Sequence, residues 1–295
     1  MRLLCWNVRG ARGTRTFRDL KDFIHVHKPE LIFLIETKMI EIQMGKLKSR
    51  LGMDGILCVP REEDNGGFSG GLCFLWNSNI SVSFISHSFY FIDVWVKWEV
   101  GKECRVTGFY GHPTASQRHL SWDLLRSLKE VVPRPWLCCG DFNEILDVGE
   151  KVGGVLKPFG QIENFRKAVE DCGLFQFAFS GFDFTWDNKR VGEANIKERL
   201  DRGFGNLPLI QQWGGFTTHH LVTMASDHCP LLIENDSSVV AGGAGSRRRR
   251  WFQFEEMWVK DEECGTIIDN GWKSLINAST LVKLRRVAVE LSCWG

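Results

Sequence analysis

The chain has 295 residues, 43% hydrophobic and 25% charged, with a formal net charge of +1. That is the composition of a soluble globular protein long enough to bury roughly three quarters of its unfolded surface. Basic and acidic side chains balance over residues 1–235, which excludes a strong global field toward polyanions. Any nucleic-acid contact therefore has to come from a local patch.

Twelve Trp and 21 Phe against two Tyr supply large core and cleft surfaces without naming a function. Several of the ten cysteines (Cys5, Cys73, Cys138, Cys139) sit inside apolar runs, with no metal-type C-x-x-C spacing. They read as buried, reduced thiols of an intracellular protein. Asn7 and Arg9 interrupt the short LLCW stretch, so no signal peptide is expected at the start. No run approaches the roughly 20 apolar residues of a membrane span.

In chain order, RLLCWN (2–7) predicts a strand stopping at Asn7, followed by the turn RGARG. Phe17, Leu20, Phe23 and Ile24 recur at helical spacing in TRTFRDLKDFIHVHK, and Pro29 follows its end. The continuous run LIFLIET (31–37) predicts a strand covered on both faces and delivers Glu36 at its exit. ILCV, GLCFLW, ISVSFIS, FIDVWVKW and CRVTGFY read as short strands between 56 and 110, with NGGFSGG as loop material.

SQRHLSWDLLRSLKEVV (116–132) predicts a helix whose face carries Leu120, Leu124, Leu125, Leu128 and Val132. PWLCCGDFN follows as a strand. QIENFRKAVEDCGL (161–174) predicts a third helix through Ile162, Phe165, Val169 and Cys172, with Gly173 as its C-cap. FDFTWDN and IKERLDRGF read as short strands, and SDHCPLLIE as a loop opening the last one. The whole is an α/β or α+β domain of two sheets flanked by helices, over residues 1–235. Residues 236–250 form a Gly/Ser/Arg linker, and 251–295 a partly helical tail too short for an independent core.

One habit recurs. Asn7, Glu36, Asp141 with Asn143, Asp201, and Asp227 with His228 each end or adjoin an apolar run. Residues i and i+2 of a strand share a face, so Asp141 and Asn143 are expected to point into one site. Carboxylates in a desolvated place need partners, and a metal ion with a phosphate would supply them.

WNVRG, LIETK, GFYGHP, GDFN, ERLDR and SDHCP, in that order, resemble the motifs of the endonuclease/exonuclease/phosphatase superfamily. The resemblance spans roughly residues 1–235; FYGHP, HLSWDLLR, PWLCCGDFNEIL, DFTWDN and IKERLDR more closely resemble the endonuclease domain of plant LINE-type (non-LTR) retrotransposons. RRRRWFQFEEMW and DEEC resemble the stretch that such polyproteins carry before the reverse transcriptase, and no Tyr-x-Asp-Asp box is present.

This resemblance implies a DNase I-like four-layer sandwich and a Mg²⁺-dependent nuclease, with Mn²⁺ as a substitute, acting on DNA. Glu36, helped by Asn7, would hold the ion, and Asp227 would bind it or orient waters. Asp141 would orient or deprotonate the attacking water, Asn143 would hold the phosphate, and His228 would be positioned by Asp201. Tyr110 would donate to the phosphate, and Thr185 and Trp186 would line the cleft. His219 and His220 are not expected to be ligands.

Two departures stand out. Members that cut at abasic sites commonly carry Trp-Asn-x-Asp-Gly, where this chain has Arg9. Phosphoinositide phosphatases usually follow Gly-Asp-Leu-Asn with a basic residue, where this chain has Glu144. An inactive retroelement remnant, an abasic-site endonuclease and a phosphatase are thus the rival readings. A monomer is expected. The run 247–250 reads equally as a nuclear address or a solvated charge run.

Overall fold

The computed structural model describes residues 1–60, 70–99, 101–130, 132–236 and 262–273, together with Val287 and Leu291. The backbone divides into two compact units, Met1–Gly242 and Gly243–Gly295.

In the first unit, Arg2–Asn7 and Leu31–Ile35 are parallel neighbours joined by the helix Thr14–His27. The same arrangement recurs where Lys102–Tyr110 and Trp136–Asp141 run parallel on either side of the helix Arg118–Ser127. A parallel pair needs such a crossover and leaves both C-terminal strand ends on one edge. Asn7 therefore pairs with Ile35, and Tyr110 with Asp141.

The first pair lies inside a seven-stranded sheet. Its spatial order is Ala178–Ser180, Gly215–His220, Leu231–Asp236, Arg2–Asn7, Leu31–Ile35, Leu72–Trp76 and Gly55–Val59. The second lies in a six-stranded sheet ordered Leu174–Gln176, Asp201–Asn206, Trp136–Asp141, Lys102–Tyr110, Phe91–Glu99 and Ser81–Ser88. Asp201 faces Asp141 in antiparallel register there. A small third sheet of Trp186–Asp187, Lys197–Glu198 and Lys151–Val152 completes the unit.

Alternation along the strands sorts the core. Cys5, Phe33 and Phe74 meet Val94, Val106 and Cys139 between the sheets. Trp6, Leu34 and Cys73 turn outward onto Leu20, Met44 and Leu47 of flanking helices. On the opposite outer face Phe142, Phe165, Trp122 and Phe204 pack together, with Trp122 stacked on Phe165 at 4.4 Å between ring centroids. The result is the expected sandwich of helix, sheet, sheet and helix, its central strands buried on both faces while the edge strand Ser81–Ser88 stays largely exposed.

Several local expectations are corrected. Two helices absent from the sequence reading, Glu41–Leu51 and Leu207–Trp213, flank the sheets. The first carries buried Met44, Leu47 and Leu51, but exposed Ile40 and Ile42 blur its stripe. The helix expected over 116–132 is shorter and rotated: it ends at Ser127 and buries Ser121, Trp122 and Leu125. Leu120 and Val132, expected on its inner face, are exposed. Trp122 turns inward beside Leu125 and Leu128 while Leu120 turns out, and Phe165 offers its ring a stacking partner.

In the second unit, the helix Glu262–Lys273 packs Cys264 with Val287 and Leu291. Most of NGGFSGG, the linker, the 247–250 run and tail positions 251–261 lie outside the described residues. All nine described cysteines are free. Among the described residues no helix is long and apolar enough to cross a membrane.

One glycine ties the core to the strand ends. Gly140 has φ +155°, and a Cβ there would overlap the Phe109 carbonyl of the parallel neighbour. Gly140→Ala is expected to cost about 3 kcal/mol or more, read as a lower urea midpoint or a loss of soluble protein.

Candidate active site

Six segments converge at the edge where the two parallel pairs end. Asn7 is fully buried, and its side-chain Nδ2 donates to Glu36 Oε1 at 3.1 Å and to Asp141 Oδ2 at 3.0 Å. Each sheet thus contributes one carboxylate to the same amide. Tyr110 Oη donates to Glu36 Oε1 at 3.1 Å. His228 Nδ1 lies 2.9 Å from Asp201 Oδ2, and its Nε2 lies 3.8 Å from Asp141 Oδ2.

The loop carrying His228 is strapped to the first strand. Trp6 Nε1 donates to the His228 carbonyl at 3.0 Å, and Ser226 Oγ to the Asn7 carbonyl at 2.8 Å. Ser226 Oγ also accepts the His228 amide at 3.1 Å.

Asn143 reaches the site by a route other than the strand pleat. The strand ends at Asp141, and Asn143 adopts a left-handed backbone with φ 56°. Its amide N–H donates to Asp141 Oδ1 at 2.9 Å, while its Nδ2 donates to the Gly111 carbonyl at 2.8 Å. The Asp141 carboxylate thus closes an Asx turn, and Asn143 supplies the left-handed backbone that Asn tolerates, in place of the strand alternation that was expected.

Asp227 is half-buried, with Arg9 Nε at 3.1 Å and Trp186 Nε1 at 3.0 Å. Arg9 also reaches Glu36 through Nη1 at 3.3 Å, and Lys38 Nζ stands 3.4 Å from Glu36 Oε2. Thr185 and Trp186 border a cavity of about 410 Å³ that extends from Asp227 and His228. Thr185 itself is fully buried, and its Oγ1 accepts the backbone amides of Leu200 and Asp201 at 3.0 and 2.9 Å. It anchors the strand that presents Asp201.

His219 and His220 stand apart from this cluster. His219 Nδ1 contacts Ser180 Oγ at 2.7 Å, and His220 stacks on Phe179. The roles of Arg9, Lys38 and Ser226 were not read from the sequence, although all three lie inside the quoted motifs WNVRG, LIETK and SDHCP.

Burial alone would push the His228 imidazole down, but the Asp201 and Asp141 carboxylates outweigh it and raise it to about 9. Burial, with Asp201 adding to it, lifts Asp141 to about 6 against the opposing pull of His228 and Asn7. Burial also opposes ionisation of Glu36, yet Arg9, Asn7 and Lys38 together hold it below its ordinary value. Asp227 is lowered against burial by Arg9 and His228. Tyr110 is raised far above the ordinary phenol range by burial and by Glu36, so it remains a donor.

Two donor sets suit a cation. Glu36 and Asp141 present oxygens, the preference of a hard divalent ion, while Asn7 turns Nδ2 toward both and its Oδ1 accepts the Arg9 N–H. Asp141, Asp201 and His228 offer one ligand atom each, all within 4.8 Å of one another. Because Asp201 already engages Nδ1 of His228, the second set reads better as a charged pair facing a carboxylate.

Residues 4–228 match the Endonuclease/Exonuclease/phosphatase family. The chain belongs to that family. Its members are hydrolases of phosphate esters and depend on a divalent metal. No curated protein sequence matches the chain.

Solved structures share the fold. The endonuclease domain of TRAS1, a telomere-specific non-LTR retrotransposon, superposes with a TM-score of 0.57 at 13% identity, covering 79% of this chain and 97% of that one. An AP endonuclease from Archaeoglobus fulgidus gives 0.61 at 15%, covering 80% and 99%. A variant of the 3′ phosphatase NExo from Neisseria, bound to product DNA hairpin, gives 0.59 at 14%, again covering 80% and 99%. At such identities the likeness is one of fold alone.

The folded imidazole titrates at about 9, above its ordinary 6.5, so folding favours its protonated form. That contribution is complete below pH 6.5, shrinks as pH rises, and is lost above about 9. Asp141 is ionised over most of this window, since it titrates at about 6. Stability in urea is therefore expected to fall between pH 6.5 and 9, and His228→Asn to remove most of that slope.

Proposed function

We propose that this protein is a Mg²⁺-dependent endonuclease that hydrolyses DNA phosphodiesters by water attack, leaving 3′-OH and 5′-phosphate ends. The observation that carries the reading is the convergence of Asn7, Glu36, Asp141, Asp201 and His228, all buried, at one edge of the sandwich.

Glu36 and Asn7 would hold the cation, with Asp227 beside them. When bound, that ion would supply Lewis-acid charge at a phosphate oxygen. Asp141, raised to about 6, is mostly ionised at neutral pH yet basic enough to orient and accept a proton from water. Protonated His228, held by Asp201, would donate from Nε2 to a phosphoryl oxygen, and the Tyr110 hydroxyl to another. Asn143 would help hold the phosphate.

Two features support DNA as the substrate. Arg9, Arg12 and Lys38 line a depression on one side of Glu36. On the other side, Lys189 and Lys197 join Phe182, Trp186, Val222 and Met224 around the 410 Å³ cavity. Phe182, Val222 and Met224 are exposed, which suits sugars and bases, while the lysines suit phosphates. Asp183 and Asp187 border the same cavity, with Lys197 Nζ 3.7 Å from Asp187, so the depression lined by Arg12 and Lys38 is the more basic side.

We assign the activity to residues 1–235, derive the chain from a LINE-type retrotransposon, and place its work in the nucleus. The retained motif set favours an active enzyme over a remnant. Purified protein should relax supercoiled plasmid with Mg²⁺ and not with EDTA, and DNA ligase should reseal the nicks. Asp141→Ala and His228→Ala should each slow nicking by about 10³-fold or more without changing the circular-dichroism spectrum. Undiminished nicking by both variants would refute the assignment. Release of inorganic phosphate without nicking would mark a phosphatase instead.

A further inference from the structure

The guanidinium of Arg9 does something that the proposed chemistry does not need. Its Nε and Nη2 fork onto Asp227 at 3.1 Å each, and its Nη1 approaches both Glu36 oxygens at 3.3 and 3.4 Å. Lys38 adds a second positive charge 3.4 Å from Glu36 Oε2. The carboxylate best suited to a divalent ion is already surrounded by cations belonging to the chain itself.

The backbone is shaped to hold them there. Among the described residues, six non-glycine positions have positive φ, and Arg9 (50°), Glu36 (53°) and Lys38 (54°) are three of them. Such conformations cost energy for residues of this kind and persist only where their surroundings enforce them. Here the Arg9 N–H is fixed by Asn7 Oδ1 at 3.2 Å, and the Lys38 N–H by the Gly70 carbonyl at 3.1 Å. The two cations are mounted rather than merely nearby.

We propose that Arg9 is a built-in competitor for the divalent cation: it spans Glu36 and Asp227 and must release Glu36 before that carboxylate can serve a metal. Arg9 thus sets the cation affinity of the site and keeps two carboxylates together without an ion. It is a positioning residue, and its side chain is 43% exposed, so it can turn away without unfolding the core. This inference rests on reading Glu36 as a cation ligand and goes beyond that reading by explaining a basic residue beside it.

The test needs no DNA. Mg²⁺ binding would be titrated by calorimetry for the full chain and for Arg9→Asn, Arg9→Gln, Arg9→Lys and Glu36→Gln. Arg9→Asn suits the left-handed backbone, and Arg9→Gln guards against a folding defect peculiar to Asn. Removing a solvent-screened ion pair should tighten Mg²⁺ binding about fivefold in both neutral variants. Arg9→Lys, which keeps the charge, should stay near the parent chain.

Melting temperature supplies a second readout. In EDTA both neutral variants should melt lower than the parent, because Glu36 and Asp227 lose their bridge. Mg²⁺ should then raise their melting temperature by more than it raises the parent's, whereas a purely structural role would leave that increment unchanged. Equal or weaker Mg²⁺ binding in both neutral variants would overturn the inference. Binding by the parent that Glu36→Gln leaves intact would instead overturn Glu36 as the ligand, and the inference with it.

Discussion

A single buried amide governs the geometry of this protein's site. Asn7 has two N–H groups on Nδ2, and each meets a carboxylate from a different sheet, Glu36 from one and Asp141 from the other. A carboxylate removed from water is costly without a donor, so the three groups fix one another. Because the amide carries no net charge, it gathers two acids without neutralising either. Their charge is balanced instead by the cations that surround them.

Charge is arranged around that centre in a definite order. On the Asp141 side stands an imidazole made basic by two carboxylates; on the Glu36 side stand a guanidinium and an ammonium. Every buried acid of the cluster therefore has a positive neighbour, yet the neighbours differ in kind. His228 is buried and held on Asp201, so it is fixed in one orientation. Arg9 is half-exposed on a long stem. One side is rigid and suited to orienting a reacting group, and the other can rearrange.

Much of this was legible in the sequence because a polar residue ending an apolar run is conspicuous. Asn7, Glu36, Asp141, Asp201 and His228 could be picked out one by one; the crossover helices explain why Asn7 meets Glu36, and antiparallel pairing brings Asp201 to Asp141. What stayed hidden depends on partners distant in the chain. Thr185 reads as a cleft residue until its hydroxyl is seen accepting two backbone amides. Leu120 fits a helical stripe as well as Trp122 does, and only the ring of Phe165 decides which is buried. Asn143 obeys the pleat in spacing but reaches Asp141 through a left-handed turn. The helix Glu41–Leu51 was missed because its apolar residues lie on more than one face.

The straps from Trp6 and Ser226 join the first strand to a loop more than two hundred residues later. During biosynthesis Asn7, Glu36 and Asp141 leave the ribosome long before Ser226 and His228 do. A nascent chain can thus carry its acids and its amide while still lacking the imidazole that completes the cluster. Closure waits for nearly the whole first unit to emerge, so half-made chains hold the parts but not the assembled centre.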